Sequence, residues 1–145
     1  MTNASDADAF LVPQPDTIPG PYPSAESAPY WDGARRHELW FQRCGVCGSA
    51  VFDPAIVCRR CGASDLTWEQ SAGLGSVYSW TVVWRPPQPA FVVPYAPAII
   101  TLDEGYQMLA SIVGCRVGDL AVGRRVAVEF HPVAGGHALP CFRHV

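Results

Sequence analysis

Residues 44–62 read Cys44-Gly-Val-Cys47-Gly-Ser-Ala-Val-Phe-Asp-Pro-Ala-Ile-Val-Cys58-Arg-Arg-Cys61-Gly62, two Cys-x-x-Cys pairs separated by ten residues, each followed by a glycine. Two residues between cysteines make a turn tight enough for both sulfurs to meet one ion, and four thiolates complete a tetrahedron at about 2.3 Å from the metal. Gly48 and Gly62 supply the positive φ that lets the backbone fold back around the sulfurs. The interval between the pairs is shorter than the commonest four-cysteine spacing but suits a rubredoxin-like zinc ribbon. Cys44, Cys47, Cys58 and Cys61 are therefore read as ligands of one structural Zn2+, zinc being the usual occupant of a closed four-thiolate site.

Working outward, Leu39 to Arg43 leads into the first knuckle, Ala50 to Asp53 returns, and Leu66 to Gln70 leaves the second. This predicts a three-stranded ribbon over residues 39–70. Upstream, Ser27 to Leu39 predicts a short helix within residues 27–38, capped by Ser27, with Pro29 in the first turn and Tyr30, Trp31 and Ala34 at helical spacing. Gly33 weakens it. Residues 1–26 hold Asp6, Asp8, Asp16 and Glu26 together with Pro13, Pro15, Pro19, Pro21 and Pro23, and are expected to form a disordered, Pro-rich acidic tail.

Downstream, Gly75 to Trp84 is rich in β-branched and aromatic residues, and Ala98 to Leu102 and Tyr106 to Val113 flank the hairpin turn Asp103-Glu104-Gly105. Arg124 to His131 and Ala138 to Phe142 bring the strands to five, so residues 71–145 are expected to close an OB-fold barrel. The fold class is all-β with a short N-terminal helix, a rubredoxin-like zinc ribbon and a five-stranded OB-fold barrel. Trp80 and Trp84, at period two on one strand, are expected in its core.

Of 145 residues, 49% are hydrophobic and only 16% charged, a sparse surface that suits cover by a partner. The net charge is −3, but four of the thirteen acids lie in the tail, and the remainder is close to neutral. That disfavours nucleic acid. Lysine is absent, all ten basic side chains being arginine, which excludes a lysine Schiff base or a P-loop lysine. The paired spacing of the cysteines fits a reducing cytosol, Arg35 as first basic residue leaves no signal-peptide start, and the apolar stretch around Phe91 to Ile100 is too short and proline-broken to span a membrane.

Catalytic candidates are weak. Cys115 follows a strand in apolar surroundings and reads as an inert thiol, while His131, His137 and His144 lie on or beside strands and the acids are scattered on turns. No catalytic residue is assigned. The segment Arg85 to Pro97 carries five prolines and the apolar residues Phe91, Val92, Val93 and Tyr95. A stiff loop loses little entropy on binding, so Arg85, Phe91 and Tyr95 are candidates for contact with a partner or a bound ligand. The alternative is a lid on its own barrel with a solvated rim arginine.

Tyr30, Trp31, Ala34 to Arg36, then Leu-x-x-Gln-Arg-Cys-x-x-Cys (Leu39 to Cys47), Cys-x-x-Cys-Gly (Cys58 to Gly62), Leu-Thr-Trp (Leu66 to Trp68), Gly-x-Val-Tyr-Ser-Trp-Thr-Val-Val (Gly75 to Val83) and Leu-Pro-x-Phe-Arg (Leu139 to Arg143) together resemble the acyl-CoA-associated zinc-ribbon OB-fold family long called domain of unknown function thirty-five. The resemblance runs from about residue 28 to the C-terminal end and leaves out the Pro-rich tail. It implies a small accessory subunit of a thiolase-like catalytic partner of lipid-transfer-protein type, sometimes with a hydratase, in a hetero-oligomer that shares an acyl-CoA ligand. The implied chemistry is carbon–carbon bond cleavage beside the thioester, as in steroid side-chain aldolases. A single-stranded nucleic-acid-binding protein and a rubredoxin-like electron carrier are the alternatives.

Overall fold

The first knuckle is continuous with β1 (Trp40–Cys44), which sits at the centre of a three-stranded sheet between β2 (Ala50–Val51) and β3 (Leu66–Gln70). The computed structural model that shows this describes residues 4–145. The ribbon is antiparallel throughout, with Gln42 opposite both Val51 and Trp68. Phe41 is fully buried and stacks on Tyr106 of the barrel at 4.9 Å between centroids, and Phe52 stacks on the same ring at 5.2 Å. Ribbon and barrel therefore share one apolar core.

The barrel closes in the order β4 (Leu74–Trp80), β5 (Ala96–Leu102), β6 (Gln107–Ile112), β8 (His137–His144), β7 (Arg125–Val133). All neighbours are antiparallel except β6 and β8, which run parallel and meet at Ser111 with Cys141 and at Ile112 with Phe142. This is the five-stranded OB arrangement expected from the strand count. Alternation on β5 buries Ala96, Ala98, Ile100 and Leu102 and turns the residues between them outward. The turn at Gly105 adopts φ 98°, and Glu104 reaches back from it to Ser71 and to the Ala72 N–H, fixing the linker from the ribbon.

Two helices precede the ribbon. α1 (Ala4–Ala7) is a single turn and α2 (Ala28–Arg35) buries Tyr30, Gly33 and Ala34. Ser27 does not cap α2: its hydroxyl is taken up by Ser24, at 2.9 Å from the Ser24 N–H. Pro29 in the first turn needs no such donor partner, so the helix starts without the cap. It ends where His37 takes φ 61° and stacks on Phe130 at 5.8 Å.

The expected disordered tail is corrected by the structure over most of its length; residues 1–3 lie outside the described residues. Leu11 is fully buried and Ile18 is 4% exposed. The Leu11 N–H donates to the Cys115 carbonyl at 2.8 Å, the Gly114 N–H donates back to Leu11 at 2.8 Å, and the Val117 N–H donates to Ala9 at 2.9 Å. The prolines that stop this arm from forming regular structure do not stop its apolar residues from entering the core or its backbone from pairing with residues 114–117.

Trp80 and Trp84 are a second correction. They are 39% and 40% exposed: β7 pairs with β4 only as far as Ser76, so Trp80 at the end of β4 has a paired strand on one side alone, and Trp84 lies beyond the strand.

Candidate functional site

Both knuckles are built alike. The Gly48 N–H donates to the Cys44 carbonyl at 2.9 Å and the Gly62 N–H to the Cys58 carbonyl at 2.8 Å, with φ of 74° and 78° at the two glycines. The Cys44 and Cys58 N–H groups in turn donate to Ser49 and Ala63 at 2.9 and 2.7 Å. This brings the four sulfurs within 4.8 Å of one another, with Cys44 and Cys61 at 3.6 Å and Cys47 and Cys58 at 3.7 Å. A tetrahedral ion with metal–sulfur bonds of about 2.3 Å separates its ligands by about 3.8 Å, so the cage fits zinc, whereas a disulfide requires about 2.05 Å.

The electrostatics point the same way. The Ser49 hydroxyl and backbone hold Cys47 down at about 6. Cys61, although a backbone hydrogen bond from Ala63 favours its thiolate, is pushed up to about 11 by burial and by its three sulfur neighbours. Four thiols this close ionise together only around a cation. Cys44 and Cys58 are buried while Cys47 and Cys61 face outward, so an ion held by these four sulfurs would sit at the surface end of the ribbon. With sulfur in all four positions, a zinc ion held by Cys44, Cys47, Cys58 and Cys61 would supply structure and contribute folding energy to the ribbon.

The Pro-rich loop is ordered differently from a free tip. Phe91 and Tyr95 are half-buried against each other, with ring centroids 5.8 Å apart, and Tyr95 pairs with Val83 through two backbone hydrogen bonds. Arg85 stays exposed with no carboxylate within salt-bridge distance among the described residues. By contrast Arg35, Arg36, Arg43, Arg59, Arg116, Arg125 and Arg143 each lie within 4.0 Å of one. The exposed aromatics lie elsewhere: Trp80 and Trp84 line one shallow hollow with Val82, Val117 and Leu120, and Tyr78, on the same strand as Trp80, is 61% exposed. Sequence periodicity pointed these indoles inward; where β4 loses its second neighbour and ends was not legible.

Cys115 is buried, its thiol is pushed up by burial, and among the described residues it makes no hydrogen bond to a histidine. The histidines are dispersed. His131 Nε2 lies 2.8 Å from Glu129, His137 lies 3.2 Å from Arg35 and edge-on to Trp31, and burial holds His144 below the usual imidazole value. Glu129 also takes two hydrogen bonds from Arg143, at 2.8 and 2.9 Å. No nucleophile–base pair is assembled from these groups.

Residues 31–67 match the family model described as the rubredoxin-like zinc ribbon domain of ChsH2, and residues 68–131 match that of its C-terminal OB-fold domain. A probable enoyl-CoA hydratase alpha subunit of Thermomonospora curvata is 32% identical over 86% of this chain and 39% of its own length. The 3-oxo-4,17-pregnadiene-20-carboxyl-CoA hydratase alpha subunit of Mycobacterium tuberculosis is 31% identical over 80% of this chain and 37% of its own. This chain thus spans less than two-fifths of these two relatives. A solved chain from a structure titled Ltp2-ChsH2(DUF35) aldolase superposes with a TM-score of 0.79 at 31% identity, over 86% of this chain and 98% of that one.

Proposed function

The chain belongs to the DUF35 family of zinc-ribbon OB-fold proteins, and on that premise we propose that it is the accessory subunit of a hetero-oligomeric acyl-CoA enzyme whose catalytic chain has a thiolase-like fold of lipid-transfer-protein type. The observation that carries this reading is the match, along 98% of its length, to a chain solved as part of an aldolase. The reaction is retro-aldol or related carbon–carbon chemistry next to an acyl-CoA thioester. The steroid acyl-CoA in the name of one relative makes a steroid side chain the leading substrate class.

This chain's own residues supply docking and orientation rather than bond cleavage, since Cys115 and the histidines form no catalytic group. The partner meets the exposed indoles of Trp80 and Trp84 together with the Pro-rich loop, whose shape Phe91 and Tyr95 maintain from within. Half-exposed tryptophans with an adjacent arginine have the composition of binding hot spots. Arg85, uncommitted to any carboxylate, is the side chain of this face suited to a CoA phosphate. Zinc keeps the ribbon folded beneath the barrel. The test is reconstitution with a thiolase-fold partner, reading co-elution and lyase turnover.

A further inference from the structure

The outward face of the barrel between β6, β8 and β7 is not level. Ser111, Leu139, Cys141 and His131 lie on it, and the N-terminal arm, α2 and the Phe52–Pro54 segment of the ribbon rise around it. The result is a recess of about 410 Å3. That lies within the roughly 300–1,000 Å3 of sites that hold small molecules.

Three observations say what would fill it. The recess is deep: Ile18, Tyr30, Met108 and Val133, all among its lining residues, are at most 7% exposed. A flat protein interface would instead be built from protruding side chains. The lining offers no uncommitted charge, because Asp53 is paired with Arg59 at 3.4 Å, His131 is held by Glu129 at 2.8 Å, and burial keeps the Cys141 thiol up at about 12. Burying an unpaired ion there would be costly, whereas hydrocarbon would be favoured. Finally, two polar groups on the floor have no hydrogen-bond partner among the described residues: the Ser111 hydroxyl, a donor, and His131 Nδ1, left bare when Nε2 engages Glu129.

We infer that this recess is a binding site for a neutral, predominantly hydrocarbon molecule carrying a keto or hydroxyl oxygen: the Ser111 hydroxyl donates to that oxygen, and His131 Nδ1 accepts from it where it is a hydroxyl. The hydrocarbon body lies against Tyr30, Trp31 and Leu139, and the arm closes one side through Ile18. Binding needs no partner chain and does not depend on the assembly proposed above.

The test is calorimetric titration of the isolated full chain with progesterone, a rigid neutral diketone. The expected result is saturable one-to-one binding that weakens at least tenfold in Leu139→Trp, which fills the recess, and in Leu109→Glu, which puts a charge at its mouth on a side chain 66% exposed and so tolerant of change. Ser111→Ala weakens it several-fold. Absence of saturable binding up to the solubility limit overturns the inference, as does binding equally tight in Leu139→Trp and Leu109→Glu with zinc content and melting intact. If progesterone fails to bind while a photo-crosslinker at residue 109 captures a partner peptide in the reconstituted complex, the recess is an interface and the inference is wrong.

Discussion

Gln14 grips Val92 with both ends of its side-chain amide, donating to the Val92 carbonyl and accepting from the Val92 N–H, each at 2.8 Å. An amide side chain here imitates a strand partner and ties the N-terminal arm to the Pro-rich loop. With Leu11 fully buried nearby in sequence, the arm is an integral wall of the fold. Leu11→Ala is therefore expected to cost about 2–5 kcal/mol in chemical denaturation, as for other buried leucines. Gln14→Ala should cost about 1 kcal/mol and speed proteolytic cleavage near residue 92. A Leu11→Ala protein as stable as the parent would return the arm to the disordered tail that its composition suggests.

Gly33 is a case where helix propensity and packing oppose each other. In an exposed helix Gly→Ala gains about 1 kcal/mol. Here a Cβ at Gly33 would run into the Trp40 indole, which is itself held by a 2.8 Å hydrogen bond from Nε1 to Glu38. Overpacking typically costs about 1–3 kcal/mol, so packing wins and Gly33→Ala should lower the melting temperature. An increase would show that the indole moves aside at no cost.

Much of the architecture could be read from residue order alone. The knuckle glycines, the three ribbon strands and the five barrel strands are local patterns, and each lies within a few residues of its expected place. What could not be read depends on distant contacts. Burial of Leu11 needs residues 114–117 as backbone partners, and exposure of Trp80 follows from β7 leaving β4 after Ser76, which nothing in the alternation announces. Ser27 sits where a cap belongs, yet Ser24 takes its hydroxyl. The clustering of the four cysteines was legible because their spacing is itself the geometry. The recess was not, since it is assembled from the arm, α2, the ribbon and three strands.

Acid stability should report the Glu129 cluster. Hydrogen bonds from Arg143, aided by His131, hold the Glu129 carboxyl below the usual glutamate range in the fold. A depressed carboxyl contributes stability that is fully present above its unfolded value and is lost as pH falls through the folded one. Glu129→Gln should thus melt below the parent at pH 7, with the gap closing below about pH 4.5. A gap constant from pH 7 to pH 3 would show that Glu129 acts through packing alone.

Metal removal separates the ribbon from ordinary surface structure. Purified protein should hold one zinc per chain by elemental analysis, and Cys44→Ser or Cys61→Ser should lose it and unfold residues 39–70, because metal-binding energy in such sites is folding energy. Since Phe41 and Phe52 of the ribbon pack on Tyr106, the barrel should loosen as well, read as lost amide protection near residue 106. A metal-free protein with full protection would contradict the assignment.

The most direct measurement is reconstitution: this chain, a thiolase-fold partner of lipid-transfer-protein type, and their mixture, each assayed for carbon–carbon cleavage of a β-hydroxyacyl-CoA while the mixture is sized by light scattering. The expected result is no turnover by this chain, a stable hetero-oligomer with lyase activity from the mixture, and co-elution weakened by about 2 kcal/mol or more in Trp80→Ala or Trp84→Ala. Turnover by the isolated chain, or failure of the two to associate, would contradict the account.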